Sequence, residues 1–346
     1  MTRLLGALFT LALTTAWVSA HCVNDADATH DHPGAAPAGI DSPALVGEGD
    51  ICFVTVPGWG ARPDAPFPGR THGSIVVDSK NRVYVCTDTE NSILVYDADG
   101  KFIKAIGEPN LKIHGLTIVK EKDGEFIYAA SAGRQIVKLK MDGTQVWAID
   151  LKAQPPEYTF KRVTAVAVAP DGSIYAADGY GTQRIVKFDS DQKPVKVIGV
   201  HGGGEDGQFK TCHGLIFDTR NPENPQLLVA DRENRRVVAY DLDLNFKKVL
   251  ITDLRRPCSF SIFKDTLAVA ELEARVVILD KDNKLIARLG DNENRGHWAN
   301  FGVPVDQWKG GVFTAPHGCG FDADGNLYVQ DWNKTGRTTK LLRLHK

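Results

Sequence analysis

Three His-Gly dipeptides recur at one place in a repeated unit: His114-Gly115, His213-Gly214 and His317-Gly318. Each heads a short apolar run, at 116–119, 215–217 and 319–321. Neutral imidazole is a borderline ligand that suits zinc, copper, iron or nickel. Three imidazoles with an open fourth position form the catalytic rather than the closed structural zinc pattern. An ion held this way lowers the pKa of a bound water or polarises a substrate oxygen. One such histidine would be explained as well by a strand cap hydrogen-bonded to its neighbour. Three at equal intervals point to metal ligation.

The interval belongs to a unit that appears six times. Copy one runs Gly73-Ser-Ile-Val-Val-Asp, Arg82-Val-Tyr-Val, Ser92-Ile-Leu-Val-Tyr-Asp and Phe102-Ile-Lys-Ala-Ile-Gly. Copies three and four repeat it, as in Ser173-Ile-Tyr-Ala-Ala-Asp and Leu227-Leu-Val-Ala-Asp. The segments are short, rich in β-branched residues and separated by Asp-Gly, Asp-Ser or Asn turns, so they read as strands and hairpins. Four strands per unit, with a period of roughly 40–60 residues, predict a β-propeller. The expected fold is therefore all-β, with six blades. The His-Gly dipeptides lie in copies two, four and six, so ring closure sets three imidazoles about 120° apart around one axis. Copy six has only three strands. The segment Ile51–Val56 supplies the missing outer one, which closes the ring and removes an exposed edge.

The first strand of each blade lines the central channel. Aligning the six copies gives one polar column: His72, His114, Thr164, His213, Ser259 and His317. His72 breaks the threefold pattern. It reads as a fourth ligand, a substrate contact or a strand cap. Loops joining the second and third strands open on the same face as this column, which brings Tyr180 and Arg232 there. Arg232 reads equally as a loop salt bridge. The aspartates of these loops, Asp88, Asp178, Asp231 and Asp331, read as turn caps. The longest connection, 291–313, carries His297, Trp298, Phe301 and Trp308 and is expected to wall or cover the site.

Met1-Thr2-Arg3, an apolar stretch from Leu4 to Val18, and Val18-Ser19-Ala20 read as a signal peptide (1–20). Residues 21–48, rich in Ala, Asp, Pro and His, read as a flexible leader, with weak metal collection as a second reading. The propeller is assigned to 49–346. An exported, periplasmic or extracellular protein without a membrane span is expected. With 41 basic and 43 acidic residues the chain carries a formal net charge of −2, which gives no footprint for nucleic acid. A monomer acting on a small molecule or peptide is expected. Six cysteines allow fifteen complete pairings. Cys212 with Cys258 is the first candidate pair, and Cys319 is placed to lie under the metal.

The units resemble NHL repeats, to judge from Ala230-Asp-Arg-Glu-Asn-Arg-Arg-Val and the Phe-x-x-x-His-Gly pattern at Phe209 and Phe313. Several stretches further resemble the peptidyl-α-hydroxyglycine α-amidating lyase family. They are Leu111-Lys-Ile-His-Gly-Leu, the run from Ser173 to Val186, Phe209-Lys-Thr-Cys-His-Gly with Val229-Ala-Asp-Arg-Glu-Asn, and Phe313-Thr-Ala-Pro-His-Gly. The resemblance implies zinc on His114, His213 and His317, a catalytic Tyr180 and a substrate-binding Arg232. It implies cleavage of a carbinolamide C–N bond to a peptide amide and glyoxylate. The chain departs from the family at three places. Gly318 stands where the family has an Asp calcium ligand, which argues against calcium there. Cys86-Thr87-Asp88 stand where it has a catalytic arginine, and Gly181 where it has a cysteine. The leading expectation is an exported metal-dependent lyase, with zinc or another transition metal. The alternatives are a different metal-dependent hydrolase or lyase, or a non-catalytic binding or metal-handling scaffold. Calcium lactonases fit less well, because their channels offer carboxylates and amides.

Overall fold

A computed structural model describes residues 42–90, 92–107 and 111–344. The signal peptide and most of the leader lie outside the described residues. Six antiparallel sheets stand around one axis. Blade 1 begins with Thr71–Val77, blade 2 with Ile113–Glu121 and blade 3 with Ala165–Val168. Blade 4 begins with Cys212–Asp218, blade 5 with Pro257–Phe263 and blade 6 with Pro316–Phe321. Each first strand pairs with the second of its blade, and the order continues outward to the fourth.

The ring closes as expected. Ile51–Val56 pairs antiparallel with Arg337–Arg343, matching Phe53 with Arg343 and Val56 with Lys340. One boundary is corrected. Leu45–Glu48 is a fifth strand on the same sheet, pairing with Ile51–Val56, so the chain joins the propeller earlier than residue 49. Glu48 faces Ile51, which leaves Gly49-Asp50 as a two-residue hairpin turn, with Gly49 at φ +55°. Gly followed by Asp is a hairpin signal, and here it directly follows the stretch whose composition suggested a leader.

Hydrophobic clusters fill the spaces between blades. Tyr175, Phe217 and Val229 pack between blades 3 and 4; Phe53, Ala270 and Val329 pack between blades 5 and 6. Each blade therefore buries its faces against its neighbours rather than in a central core. The axis is left free for polar side chains. Cys86, Cys212, Cys258 and Cys319 are free and buried, so the expected Cys212–Cys258 bridge is not formed. The two thiols face different backbone carbonyls, of Arg184 and Arg256.

Candidate metal centre and channel mouth

The histidines sit on β-bulges. In blade 2, Ile113 pairs with Ser131 and Gly115 with Ala130, so His114 is the extra residue. In blade 6, Pro316 pairs with Asp331 and Gly318 with Gln330, so His317 is extra. His213 and His72 fall in the corresponding register shifts of blades 4 and 1. A bulge re-aims one side chain and tightens the local twist. Here it turns imidazoles toward the axis.

The same register corrects the aligned column. In blade 5, Pro257 pairs with Glu271 and Ser259 with Ala270. The extra residue is Cys258, one position before the expected Ser259. Pro257-Cys258 matching Pro316-His317 was the sequence signal for it. Ser259 instead donates structure lower in the channel, where its hydroxyl accepts from the Cys319 amide at 3.1 Å.

Each of the three histidines holds a carbonyl of the next blade. His114 Nδ1 lies 2.6 Å from the Thr164 oxygen, His213 Nδ1 2.9 Å from that of Cys258, and His317 Nδ1 3.1 Å from that of Gly73. With Nδ1–H donating, Nε2 is the free lone pair, and this kind of partner fixes ring orientation and raises ligand basicity. The glycine after each histidine makes the approach possible. A Cβ on Gly115 would lie 2.7 Å from the Thr164 oxygen, and one on Gly214 2.2 Å from that of Cys258. A Cβ on Gly318 would meet blade 1 backbone at 2.8 Å. Neighbouring blades pack too closely there for any side chain.

The rings of His114 and His213 are 4.9 Å apart, His114 and His317 5.1 Å, and His213 and His317 4.6 Å. All three are buried. The Nε2 atoms of His114 and His317 are buried without a hydrogen-bond partner, and His213 Nε2 lies 3.0 Å from the Tyr180 hydroxyl. Burial, with the neighbouring cationic groups, pushes His114 down to about 3. Burial likewise pushes His213 and His317 well below the ordinary imidazole value. The ring is therefore neutral and lone-pair-bearing at physiological pH. Two sets of ligand atoms lie within 4.8 Å of one another: His72, His114 and His317; and His213, Cys258 and His317. The expected trio is close by its rings, while these tighter groups divide it: His114 is grouped with His72, His213 with Cys258, and His317 is common to both. Burial pushes the Cys258 thiol up to about 11, and its carbonyl already serves His213.

Tyr180 stands over the ring, as expected. Arg232 Nη1 donates to its hydroxyl at 3.1 Å, and Arg162 lies over its ring face at 5.1 Å. Burial raises the phenol's pKa, and Arg232 opposes the rise. Arg232 also makes the salt bridge read from sequence, with Glu233 at 2.9 Å, and Arg256 joins the same carboxylate at 2.6 Å. A cavity of about 700 Å³ opens above, lined by His72, Arg162, Tyr180, Arg232, Arg256 and Trp332 among others. Three guanidiniums, two of them sharing Glu233, leave this mouth positively charged and suited to an anionic ligand. Sequence reading missed Arg162 and Arg256, which lie on loops into first strands and follow no motif.

The loop aspartates divide. Asp178 accepts from the amides of Lys161, Arg162 and Thr182; Asp231 from Lys210; Asp331 from Thr314 and Ala315. These three are the expected caps. Asp88 is not: Thr87 takes their register position, pairing with Thr71. Asp88 takes the place of Arg232, Leu272 and Trp332. In each of these blades that residue's amide bonds the carbonyl of the loop into the first strand. Its carboxylate reaches His72 Nδ1 at 3.2 Å.

The long connection also divides. Phe301 packs on Trp332 at 4.8 Å and Ala299 lines the mouth, forming part of the expected wall. Trp308 turns away, buried against Phe67 at 5.1 Å. His297 is half-buried and pairs with Gln307. Cys319 lies in the channel below the ring, as anticipated.

No protein-family model matches the chain. The rat peptidylglycine alpha-amidating monooxygenase is 28% identical over 257 residues, 70% of this chain and 25% of that protein. A probable peptidyl-alpha-hydroxyglycine alpha-amidating lyase of Caenorhabditis elegans is 32% identical over 227 residues, 62% of this chain and 60% of that protein. The chain thus spans about a quarter of the length of the mammalian relative it matches. Among solved structures, a gluconolactonase from Xanthomonas campestris is 14% identical, with a TM-score of 0.61 over 91% of this chain and 99% of that one. A streptogramin B lyase is 16% identical, with a TM-score of 0.55 over 80% of this chain and 95% of that one. These two share the fold. By fold and by relatives, the chain is a six-bladed β-propeller that resembles the peptidyl-α-hydroxyglycine α-amidating lyase family.

Proposed function

We propose that this protein is a metal-dependent carbon–nitrogen lyase of amidating-lyase type, with a transition metal, zinc by preference, on His114, His213 and His317. One observation carries the reading. Imidazoles from alternate blades turn Nε2 to the axis, each fixed through Nδ1, and two of those Nε2 atoms are buried with no partner. A buried acceptor left unpaired is costly, and a metal ion would offset that cost. Bound there, the ion would act as a Lewis acid toward a substrate oxygen. Gly318 leaves no side chain for calcium beside His317, so calcium forms no part of the proposal.

The remaining chemistry is assigned to the mouth. Arg162 and Arg256 would bind a substrate carboxylate. Arg232, 3.1 Å from the Tyr180 oxygen, offsets part of the burial that raises the phenol's pKa and would stabilise the phenolate once formed. That phenolate would take the proton of a carbinolamide hydroxyl. The freed electron pair forms the aldehyde C=O as the C–N bond breaks. The departing amide nitrogen takes the proton back from Tyr180, giving an amide and glyoxylate. Export, periplasmic or extracellular, belongs to the same proposal. It rests on the residue pattern of 1–20, and no helix among the described residues is long and apolar enough to cross a membrane.

The test is metal analysis of protein purified without chelators, followed by glyoxylate release from a peptidyl-α-hydroxyglycine. The expected result is near-stoichiometric metal that His213→Ala loses, and metal-dependent glyoxylate that Tyr180→Phe lowers by about 10²-fold or more. Metal without glyoxylate would leave a metal-handling scaffold or another reaction on this platform. Full activity in Tyr180→Phe would remove the assigned base.

A further inference from the structure

We infer that His72 is a fourth imidazole ligand of the channel metal, held in place by Asp88 as its carboxylate partner. The inference rests on the metal reading above. His72 is followed by Gly73, so blade 1 carries a fourth His-Gly dipeptide on the corresponding bulge. A Cβ on Gly73 would lie 2.1 Å from the His114 oxygen, and Gly73 has φ +95°. Blade 1 is therefore packed on blade 2 by the same device that serves the other three.

The geometry favours His72 over a bystander role. Its ring meets His114 edge-on at 4.7 Å and His317 at 4.9 Å. The ligand atoms of these three lie within 4.8 Å of one another. The two partners are the histidines whose Nε2 atoms are buried and unpaired. His213 Nε2, by contrast, already has the Tyr180 hydroxyl at 3.0 Å. His72 Nδ1 faces Asp88 Oδ2 at 3.2 Å, which leaves Nε2 to ligate. A carboxylate behind a ligating imidazole is a recurrent orienting device. Asp88 stands at the mouth position that Arg232 holds in blade 4, so blade 1 supplies a ligand-orienting acid where blade 4 supplies a cation. His72, His114, His213 and His317 would then hold the ion together, and a substrate would reach it from the mouth above.

The experiment uses the full-length protein, stripped with a chelator and reloaded with cobalt(II) or zinc. X-ray absorption on the zinc form counts imidazoles, and cobalt titration followed by visible absorption gives affinity. Four imidazoles are expected in the parent and one fewer in both His72→Ala and His72→Gln. Asp88→Asn is expected to weaken cobalt binding by about 10–100-fold. A count of three in the parent overturns the inference. So does cobalt affinity within twofold of the parent in both His72 variants, with melting temperatures showing them folded. A parent that binds no metal fails the metal reading and this inference together. Metal lost in His213→Ala but unmoved in His72→Gln fails this inference alone.

Discussion

At the scale of single residues, His-Gly is one device with two halves. Glycine lets the next blade's carbonyl approach, and histidine uses that carbonyl to fix its own tautomer. The cost is three imidazoles kept neutral inside the protein, and it has a pH signature. In the unfolded chain His114 takes a proton near 6.5; folded, it does so at about 3. Between those values the unfolded state binds more protons, so stability falls as pH falls below about 6.5. Each such imidazole contributes about 1.4 kcal/mol per pH unit. Metal-free protein should therefore melt markedly lower at pH 5 than at pH 7, and His114→Gln should flatten that slope. Equal melting temperatures of the metal-free parent at both pH values would contradict the burial argument. The sequence made His114, His213, His317, Tyr180 and Arg232 legible because they recur or sit next to a recurring turn. Cys258 was misplaced by one residue, because a bulge shifts register without leaving a residue type of its own.

At the scale of elements, the bulged first strand and the capped loop before it act together. Asp178 ties the loop carrying Arg162 to blade 3, just as Asp231 and Asp331 tie theirs. The close blade-to-blade approach is equally demanding. In Gly214→Ala the new methyl would stand 2.2 Å from the Cys258 oxygen, so blades 4 and 5 must part or the bulge must unwind. Overpacking of this kind costs about 1–3 kcal/mol, and it would also break the His213–Cys258 hydrogen bond. The expected outcome is a lower melting temperature together with weaker metal binding. A variant that melts like the parent would mean that the blades yield there freely. Asp88 was misread as a fourth cap because its residue type matches the others. Only the pairing of Thr71 with Thr87 shows it to be one position further on.

At the scale of the whole molecule, the channel site exists only if the ring is closed, because its ligands come from blades that meet across the seam between blades 6 and 1. His317 bonds the Gly73 carbonyl across that seam. The seam is held by Ile51–Val56, lying between Leu45–Glu48 and Arg337–Arg343. The donated strand was legible because copy six lacked one. Its outer neighbour was not, since the four-residue strand Leu-Val-Gly-Glu has too little apolar pattern to stand out. Val54 pairs with Leu45 on one side and Leu342 on the other. Proline at this position removes a ladder donor and fixes φ inside a strand flanked on both sides. Val54→Pro should cost about 3 kcal/mol or more and leave Arg337–Arg343 as an exposed edge, prone to pair with other chains. The measurement is thermal unfolding with light scattering, beside metal content. Loss of metal together with a lower, aggregating transition is expected, because an open seam parts His317 on blade 6 from His72 on blade 1. A variant that melts early yet keeps its metal would show that blades 2, 4 and 6 hold the site without the seam.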